Sequence, residues 1–350
     1  MAINPTRWGE TPGEPWWPSA KTSRGRSPHQ SEILLRVRDY DLDATLDSGQ
    51  AFRWHRTEER GRPAREFRDH AGEPPALLDS WTGIIGTHQV RLTQTPDGIH
   101  ATTAAPVENW DWLRQFLQTE IDLAAVLKTF PDDEPMRAAV AACPGLRLLK
   151  QDPWECLASF ILSSTKQIVQ IRQIIALLCE RFGEPCSGVS AERRKPLQAD
   201  ECGSLPKAAT PALPFAFPTP QRIAACTEAE LRDCKMGFRA PSLLAAAREI
   251  AEGRFDLERI RQLPHAEARA ELMKLRGVGG KIADCVLLFA CGFDAAFPVD
   301  VWIERALQRL YFPRRRASEQ RLRRFAATHF GPHAGYAQQY LFHYIRTKLN

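Results

Sequence analysis

The sequence predicts an α+β protein, in which a small antiparallel β-sheet domain precedes a mostly α-helical domain. Short runs rich in β-branched and aromatic residues lie between residues 32 and 103, and an Asp97-Gly98 turn separates the last two runs. From Trp110 onward, apolar residues recur at helical spacing almost to the end. A chain of 350 residues, 43% of them hydrophobic, is long enough for two domains.

The sheet domain is predicted at residues 31–135. Residues 1–30 contain five prolines among glycine, serine and basic residues, a composition typical of a disordered tail. The predicted strands are Leu34–Val37, Ala51–Trp54, Trp81–Ile85, Val90–Thr93 and Ile99–Thr102. The charged, proline-containing stretch at residues 55–79 reads as a loop between strands.

The helical domain is predicted at residues 136–350. Pro153 opens a nearly all-apolar helix, since proline is favoured in the first turn. Residues 186–220 lack periodicity and are rich in proline, alanine and serine, which predicts a long loop.

Composition limits the functional classes. None of the nine cysteines forms a CxxC pair and none lies in the first 142 residues, which argues against a disulfide framework and a zinc site. No cysteine follows Cys291, which argues against a four-cysteine iron–sulfur loop in that part of the chain, and we expect no required cofactor. No apolar run is long enough to span a membrane, so an intracellular protein is expected. Residues 301–350 carry ten Lys or Arg against two Glu, a bias that favours a polyanionic partner.

The most informative stretch runs from residue 275 to residue 309. Gly277, Gly279 and Gly280 predict a tight turn with positive φ between two helices. Backbone N–H groups exposed in such a hairpin, and at the start of the second helix, suit a phosphate. By itself, such a hairpin is also common in non-catalytic motifs that bind the DNA backbone.

Two charged residues follow the glycines. Lys281 stands in the first turn of a helix, where the dipole disfavours a cation and so favours the neutral amine that a nucleophile requires. Asp300 follows Pro298 and Val299 at a predicted helix N-cap. The eight residues between the two helices are long enough to bring Asp300 back beside Lys281. Each residue alone is more often a solvated lysine or a simple cap.

Taken together, the hairpin, lysine and aspartate resemble the helix-hairpin-helix, Gly/Pro-rich loop, aspartate (HhH-GPD) motif of base-excision DNA glycosylases. The segments GVGGKIADC and PVDV are particularly similar to the 8-oxoguanine DNA glycosylase family. SGQAFRW at residues 48–54 and QDPWECLASFILSS at residues 151–164 extend the resemblance, which covers residues 32–350 in blocks. It implies a TATA-binding-protein-like sheet domain and a helical catalytic domain.

The resemblance also implies the chemistry. Lys281 matches the lysine that attacks the deoxyribose C1′, displaces the base and forms a Schiff base, which permits strand cleavage by β-elimination. Asp300 matches the aspartate that stabilises positive charge on the sugar. The implied partner is duplex DNA containing 8-oxoguanine, bound by a monomer, and the implied setting is intracellular and DNA-associated.

The remaining site residues are assigned by the same resemblance. The Gly49 carbonyl is expected to accept a hydrogen bond from N7–H of 8-oxoguanine, a donor that guanine lacks. Cys285 and Phe342 would sandwich the flipped base, and Gln338 would bind its Watson–Crick edge. The expected DNA contacts are Arg239, which reaches toward the opposite base, Phe238 as a wedge, Thr165, Gly277, Gly279 and Gly280. A monovalent or divalent cation would be held by the carbonyls of Met273, Leu275 and Val278.

Several positions depart from the family pattern. Thr165, Lys166 and Gln167 replace three asparagines, and Gln170 replaces an arginine, so we expect weaker discrimination for cytosine opposite the lesion. Trp302 and Ile345 replace a histidine and an acid. Two alternatives stay open: an alkylpurine DNA glycosylase, which usually lacks the lysine, and a non-enzymatic helix-hairpin-helix protein that binds damaged DNA.

Overall fold

The computed structural model describes residues 31–57, 79–164, 167–187, 215–314 and 316–348. Within these ranges, a five-stranded antiparallel sheet precedes a mostly helical region, so the predicted fold class is confirmed. The expected tail at residues 1–30 lies outside the described residues, as do residues 188–214 of the expected long loop.

The sheet has the order β1-β5-β4-β3-β2, and every neighbouring pair is antiparallel. The strands are β1 (Ser31–Leu35), β2 (Trp54–Thr57), β3 (Ser80–Ile85), β4 (His88–Thr95) and β5 (Gly98–Thr103). Val90 and Leu92 are fully buried whereas Arg91 between them is exposed, the alternation expected of a half-buried strand. The buried face packs against Leu113 and Leu117 of helix α2 (Asp111–Leu117).

The strand predicted at Ala51–Trp54 was wrong in its first three residues. Ala51 packs in the core of the sheet domain, whereas Phe52 packs in the helical core. The buried Arg53 pairs with Glu155 Oε2 at 3.2 Å and donates to the Phe215 carbonyl. These three side chains therefore point to different partners: one core, the other core and an ion pair. The segment cannot alternate between two faces of the sheet as a strand does, and β2 begins only at Trp54.

Fifteen α-helices are present in the described ranges. Besides α2 they are α1 (Leu42–Leu46), α3 (Leu123–Leu127), α4 (Glu134–Ala142), α5 (Pro153–Leu162), α6 (Ile168–Phe182), α7 (Pro220–Ala224), α8 (Glu228–Leu231), α9 (Ala240–Ala251), α10 (Leu257–Ile260), α11 (His265–Leu272), α12 (Gly280–Val286), α13 (Val301–Tyr311), α14 (Glu319–His329) and α15 (Ala334–Lys348). Apart from Glu155, every residue of α5 is buried, so this helix forms the centre of the helical core. Within the described residues, no helix is both long and apolar enough to cross a membrane.

Helix α12 ends at Val286, where its hydrogen-bonding pattern changes. A π-helical turn occupies Leu287–Cys291 and ends at Gly292, which is left-handed with φ +82°. The Phe289 carbonyl in this turn accepts a hydrogen bond from the Gln151 N–H at 2.7 Å. The π-helical turn therefore links α12 to the backbone just before α5, and both helices contribute to the site described next.

Candidate active site

The helix-hairpin-helix is formed by α11 and α12. Of its three glycines only Gly277 has a positive φ, at +81°, and this residue forms the tight turn that the sequence predicted. A β-carbon on Gly277 would lie 2.5 Å from the Ser242 Oγ, so glycine is also required by the approach of α9. Gly279 is extended at the N-cap of α12 and Gly280 is the first helical residue. The tight turn that precedes α12 therefore depends on the left-handed conformation of Gly277.

Lys281 lies in the first turn of α12 and extends toward the C-terminal end of α5. Its Nζ is 3.4 Å from the Ser163 Oγ and 4.9 Å from the centroid of the Phe160 ring. The lysine is half-buried. Its amine is therefore held at a fixed place near the negative end of the α5 dipole and over an aromatic face, two features that attract a cation.

Asp300 caps α13, as the sequence predicted. One carboxylate oxygen, Oδ1, accepts the N–H of Trp302 at 3.0 Å and that of Ile303 at 2.9 Å. The side chain is half-buried, and the second oxygen, Oδ2, makes no hydrogen bond within the described residues. The cap thus fixes the carboxylate while leaving one oxygen for another partner.

The Cys285 thiol interacts electrostatically with both Lys281 and Asp300. Burial raises the pKa of Cys285 to about 12, and the Lys281 ammonium opposes that rise through its charge and a side-chain hydrogen bond. The Asp300 carboxylate adds to the rise, so it too lies within electrostatic range of the thiol. Cys285 is therefore a neutral thiol on α12 at physiological pH, within electrostatic range of an amine and a carboxylate.

Gly49 meets Phe342 across the domain boundary. Gly49 follows α1 with φ +77°, and a β-carbon there would lie 3.4 Å from both Phe342 Cε1 and Ile168 Cδ1. The Arg346 guanidinium lies 5.2 Å from the centroid of the Phe342 ring. The turn after α1 thus packs closely on the Phe342 ring of α15, with room for little more than one added carbon atom.

Gln338 lies on α15, one helical turn before Phe342, so the two share a face. Its side chain is 4% exposed, and its Oε1 has no hydrogen-bond partner within the described part of the chain. A buried amide oxygen left without a donor costs free energy unless a ligand supplies one. Gln338 is therefore equipped to accept a hydrogen bond from a ligand.

Phe238 and Arg239 lie together at the start of α9. Phe238 is 65% exposed, which is unusual for a large aromatic side chain. The Arg239 guanidinium lies 4.3 Å from the centroid of the Phe238 ring and is itself buried, and this burial lowers the pKa of Arg239. Thr165, the other predicted contact, lies outside the described residues.

The described residues contain no group of three or more His, Cys, Asp or Glu side chains arranged to hold a metal ion. In the hairpin, the Leu275 carbonyl accepts the Val278 N–H at 3.1 Å. The carbonyls of Met273 and Val278 accept no hydrogen bond from the described chain. Carbonyl oxygens of this kind are ligands suited to a hard cation.

The sequence was compared with models of known families. Residues 32–157 match the model of the 8-oxoguanine DNA glycosylase N-terminal domain, and residues 158–331 match that of the HhH-GPD superfamily base excision DNA repair proteins. A probable N-glycosylase/DNA lyase of Methanothermobacter thermautotrophicus is 33% identical over 337 residues, covering 90% of this chain and 96% of the relative. The chain belongs to the 8-oxoguanine DNA glycosylase family of the HhH-GPD superfamily.

Two further members of this family resemble the chain over most of its length. The N-glycosylase/DNA lyase OGG1 of Arabidopsis thaliana is 26% identical, covering 92% of this chain and 82% of the relative. The Clostridium acetobutylicum 8-oxoguanine glycosylase/lyase, solved with double-stranded DNA containing cytosine opposite 8-oxoguanine, is 27% identical with a TM-score of 0.73. That alignment covers 91% of this chain and 99% of the other.

The sequence did not predict three contacts of the site: Ser163 with Lys281, Arg346 with Phe342, and Gln339 with the turn that carries Gly49. Arg346 follows Phe342 by four residues on α15, and that spacing could have indicated the contact. No sequence signal indicates the other two, because they join residues 118 and 291 positions apart.

Proposed function

We propose that this protein is a bifunctional DNA glycosylase and abasic-site lyase that removes 8-oxoguanine from duplex DNA. The observation that carries the proposal is the half-buried Lys281 amine on the same helix as Cys285, held 3.4 Å from the Ser163 Oγ, together with the Asp300 carboxylate, whose cap leaves one oxygen without a partner in the described chain. We place the pocket for the base beside Cys285, Gln338 and Phe342. Membership of the 8-oxoguanine glycosylase family supports the same substrate. The flipped nucleotide would enter this pocket because a base inside a duplex is not accessible to the amine.

In the proposed reaction the neutral Lys281 amine attacks C1′ of the flipped nucleotide. The N–C1′ bond forms as the C1′–N9 bond breaks, and the base leaves with the electron pair and takes up a proton. Opening of the sugar ring, with a proton going to O4′, yields the protonated Schiff base. The Asp300 carboxylate, held by its cap, stabilises the positive charge that develops on the sugar.

The lyase step follows from that intermediate. The iminium group acidifies the C2′ hydrogen, so loss of that proton and departure of the 3′ phosphate complete a β-elimination. Water then releases the unsaturated aldehyde and regenerates Lys281. Ser163 and Phe160 hold the amine in place before the attack, so that little reorganisation of the amine is needed.

Base recognition is assigned to the walls of the pocket. Cys285 and Phe342 would enclose the base, the Gly49 carbonyl would accept N7–H, and Gln338 would meet the Watson–Crick edge. The unpartnered Gln338 Oε1 supports this role, since a guanine-type edge presents N–H donors. A neutral Cys285 thiol suits a wall that contacts an uncharged base.

DNA contacts are proposed for the hairpin glycines Gly277, Gly279 and Gly280, for Thr165, and for Phe238 and Arg239. The exposure of Phe238 supports a wedge role, because an exposed aromatic ring can replace the stacking of a base that has left the helix. The carbonyls of Met273, Leu275 and Val278 would hold a structural cation, which would take no part in the reaction. We propose an intracellular, DNA-associated monomer that requires no cofactor.

Borohydride trapping tests this proposal. Reduction of the Schiff base should couple the protein covalently to an 8-oxoguanine duplex and to an abasic duplex, and Lys281→Gln should abolish both adducts. An alkylpurine glycosylase would release its base without an adduct, and a non-enzymatic DNA-binding protein would release nothing. Absence of an adduct with both duplexes would rule out the lyase.

A further inference from the structure

The turn that carries Gly49 presents three successive carbonyls in different ways. The Ser48 carbonyl accepts a hydrogen bond from Gln339 Nε2 at 2.9 Å, and the Gln50 carbonyl accepts one from Gln151 Nε2 at 2.7 Å. Within the described chain, nothing donates to the Gly49 carbonyl between them. The two outer carbonyls are therefore held by side-chain amides, and the middle one remains available to a ligand.

Both amide groups are buried and come from different parts of the chain. Gln339 is 2% exposed and stands on α15, immediately after Gln338. Gln151 is 6% exposed and precedes α5. Hydrogen bonds between buried groups are stronger than those on the surface, and breaking one leaves a buried group unpaired. The two peptide planes that flank the Gly49–Gln50 peptide, which carries the Gly49 carbonyl, are thus held against the helical domain.

The side chain of Gln50 anchors the same turn from the sheet-domain side. Its Nε2 donates to the Arg147 carbonyl at 2.8 Å, and its Oε1 accepts the Leu149 N–H at 2.8 Å. Gln50 therefore sets where the turn lies. It does not set the direction of the Ser48–Gly49 peptide plane, which depends on the hydrogen bond from Gln339.

We propose that Gln339 is a positioning residue that aims the Gly49 carbonyl at N7–H of the flipped base. Consecutive residues on a helix point about 100° apart, so α15 can direct Gln338 into the pocket and Gln339 onto the turn. One helix thereby aligns two recognition groups, its own amide and the carbonyl of Gly49. This inference rests on the proposed function, since it assigns the basis of lesion selectivity at the same site.

The test compares binding of duplexes carrying 8-oxoguanine or its 7-deaza analogue, in which a CH2 group replaces N7–H. All proteins carry Lys281→Gln so that no turnover occurs. Gln339 with its native amide should favour 8-oxoguanine over the analogue by about fivefold, the effect of one hydrogen bond. Gln339→Met, which keeps the shape and removes the donor, should bring the ratio close to one.

Tyr340→Phe is the matched control. It removes a buried hydrogen bond of the same helix, from the Tyr340 hydroxyl to the Leu146 carbonyl at 3.2 Å, without touching the Gly49 turn. This variant should keep the fivefold preference. If Gln339→Met also keeps the fivefold preference for 8-oxoguanine, the proposal is overturned, because the Gly49 carbonyl would then be positioned without the Gln339 hydrogen bond.

Gln339→Glu provides a second variant if the methionine variant does not fold. A protonated glutamic acid can donate to the Ser48 carbonyl but a carboxylate cannot, so its preference should fall as pH rises, whereas that of Gln339 should stay constant. If the Gln339→Glu protein prefers 8-oxoguanine over the analogue by the same ratio as the protein with Gln339 at every pH, Gln339 does not position the Gly49 carbonyl. The inference fails if the Lys281→Gln protein that keeps Gln339 binds the two duplexes equally well. If the protein with its native Lys281 still forms a borohydride adduct on an abasic duplex, the lyase function stands in spite of that result.

Discussion

The Lys281 Nζ lies 3.4 Å from the Ser163 Oγ, a contact between the first turn of α12 and the residue that ends α5. The Ser163 hydroxyl donates to the Phe160 carbonyl at 2.8 Å, so its remaining lone pairs can accept from the lysine. The N-terminal end of α12 disfavours a cation, whereas the C-terminal end of α5 and the Phe160 ring attract one. Lys281 is thus placed between opposing electrostatic influences, and its tip is located by α5.

Ser163→Ala tests the importance of that contact for the reaction. Because a 3.4 Å hydrogen bond is weak, we expect the rate of borohydride trapping on an abasic duplex to fall only about two- to fivefold. Ser164→Ala is the matched control, since the Ser164 hydroxyl donates to the Ile161 carbonyl and accepts no hydrogen bond from the lysine. Equal effects of the two substitutions would show that Ser163 acts only through the end of α5.

Asp300 combines a structural and a chemical role, and two substitutions separate them. Asp300→Asn keeps an oxygen that can cap α13 but removes the charge, so stability should be retained while base release falls by about 100-fold or more. Asp300→Ala should lose the activity and also about 1 kcal/mol of stability. Single-turnover kinetics and urea unfolding measure the two effects. Wild-type rates in the asparagine variant would exclude a role for the charge.

The parts of the site that the sequence predicted are those set by local spacing. The Asp300 cap and the shared helix face of Gln338 and Phe342 depend on residues at most four positions apart. The role of Gln339 could not be predicted, because its partner Ser48 lies 291 positions away and a glutamine beside Gln338 has no distinctive pattern. The π-helical turn was missed for a related reason, since an all-apolar segment has the same periodicity with or without it.

Asp152 gives the stability of the fold a dependence on pH. Burial raises the pKa of this carboxyl to about 7, although its Oδ1 accepts the Glu155 N–H at 2.7 Å. The folded state therefore binds a proton more tightly than the unfolded state, whose carboxyl has a pKa near 4. This contribution to stability is present below about pH 4 and is lost as pH rises to about 7.

Asp152→Asn tests this dependence and keeps a side chain that can cap α5. Relative to wild type, the variant should gain in free energy of unfolding as pH rises from 4 to 7, measured by urea unfolding at each pH. Asp122→Asn makes the same change at the exposed N-cap of α3 and controls for loss of a carboxylate at a helix start. A difference between wild type and Asp152→Asn that does not change with pH would refute the prediction.

Discrimination of the base opposite the lesion should be weak in this protein. Gln170 stands where the family resemblance leads us to expect an arginine, and its Oε1 accepts the Gln167 N–H at 3.3 Å in the first turn of α6. Cytosine presents two adjacent acceptors, N3 and O2, which suit a guanidinium, whereas adenine presents only N1 there. Without that guanidinium, the rates of 8-oxoguanine excision opposite cytosine and opposite adenine should differ by less than about tenfold.

Gln170→Arg should therefore increase the preference for cytosine by about tenfold, the effect of one well-placed bidentate contact. Single-turnover excision from duplexes with each of the four opposite bases measures the preference. Gln167→Arg adds the same charge three residues away and separates the positional effect from a general attraction to DNA, which would raise all four rates together. If the unsubstituted protein already rejects adenine strongly, a group other than Gln170 reads the opposite base, and the substitution should then leave the preference unchanged.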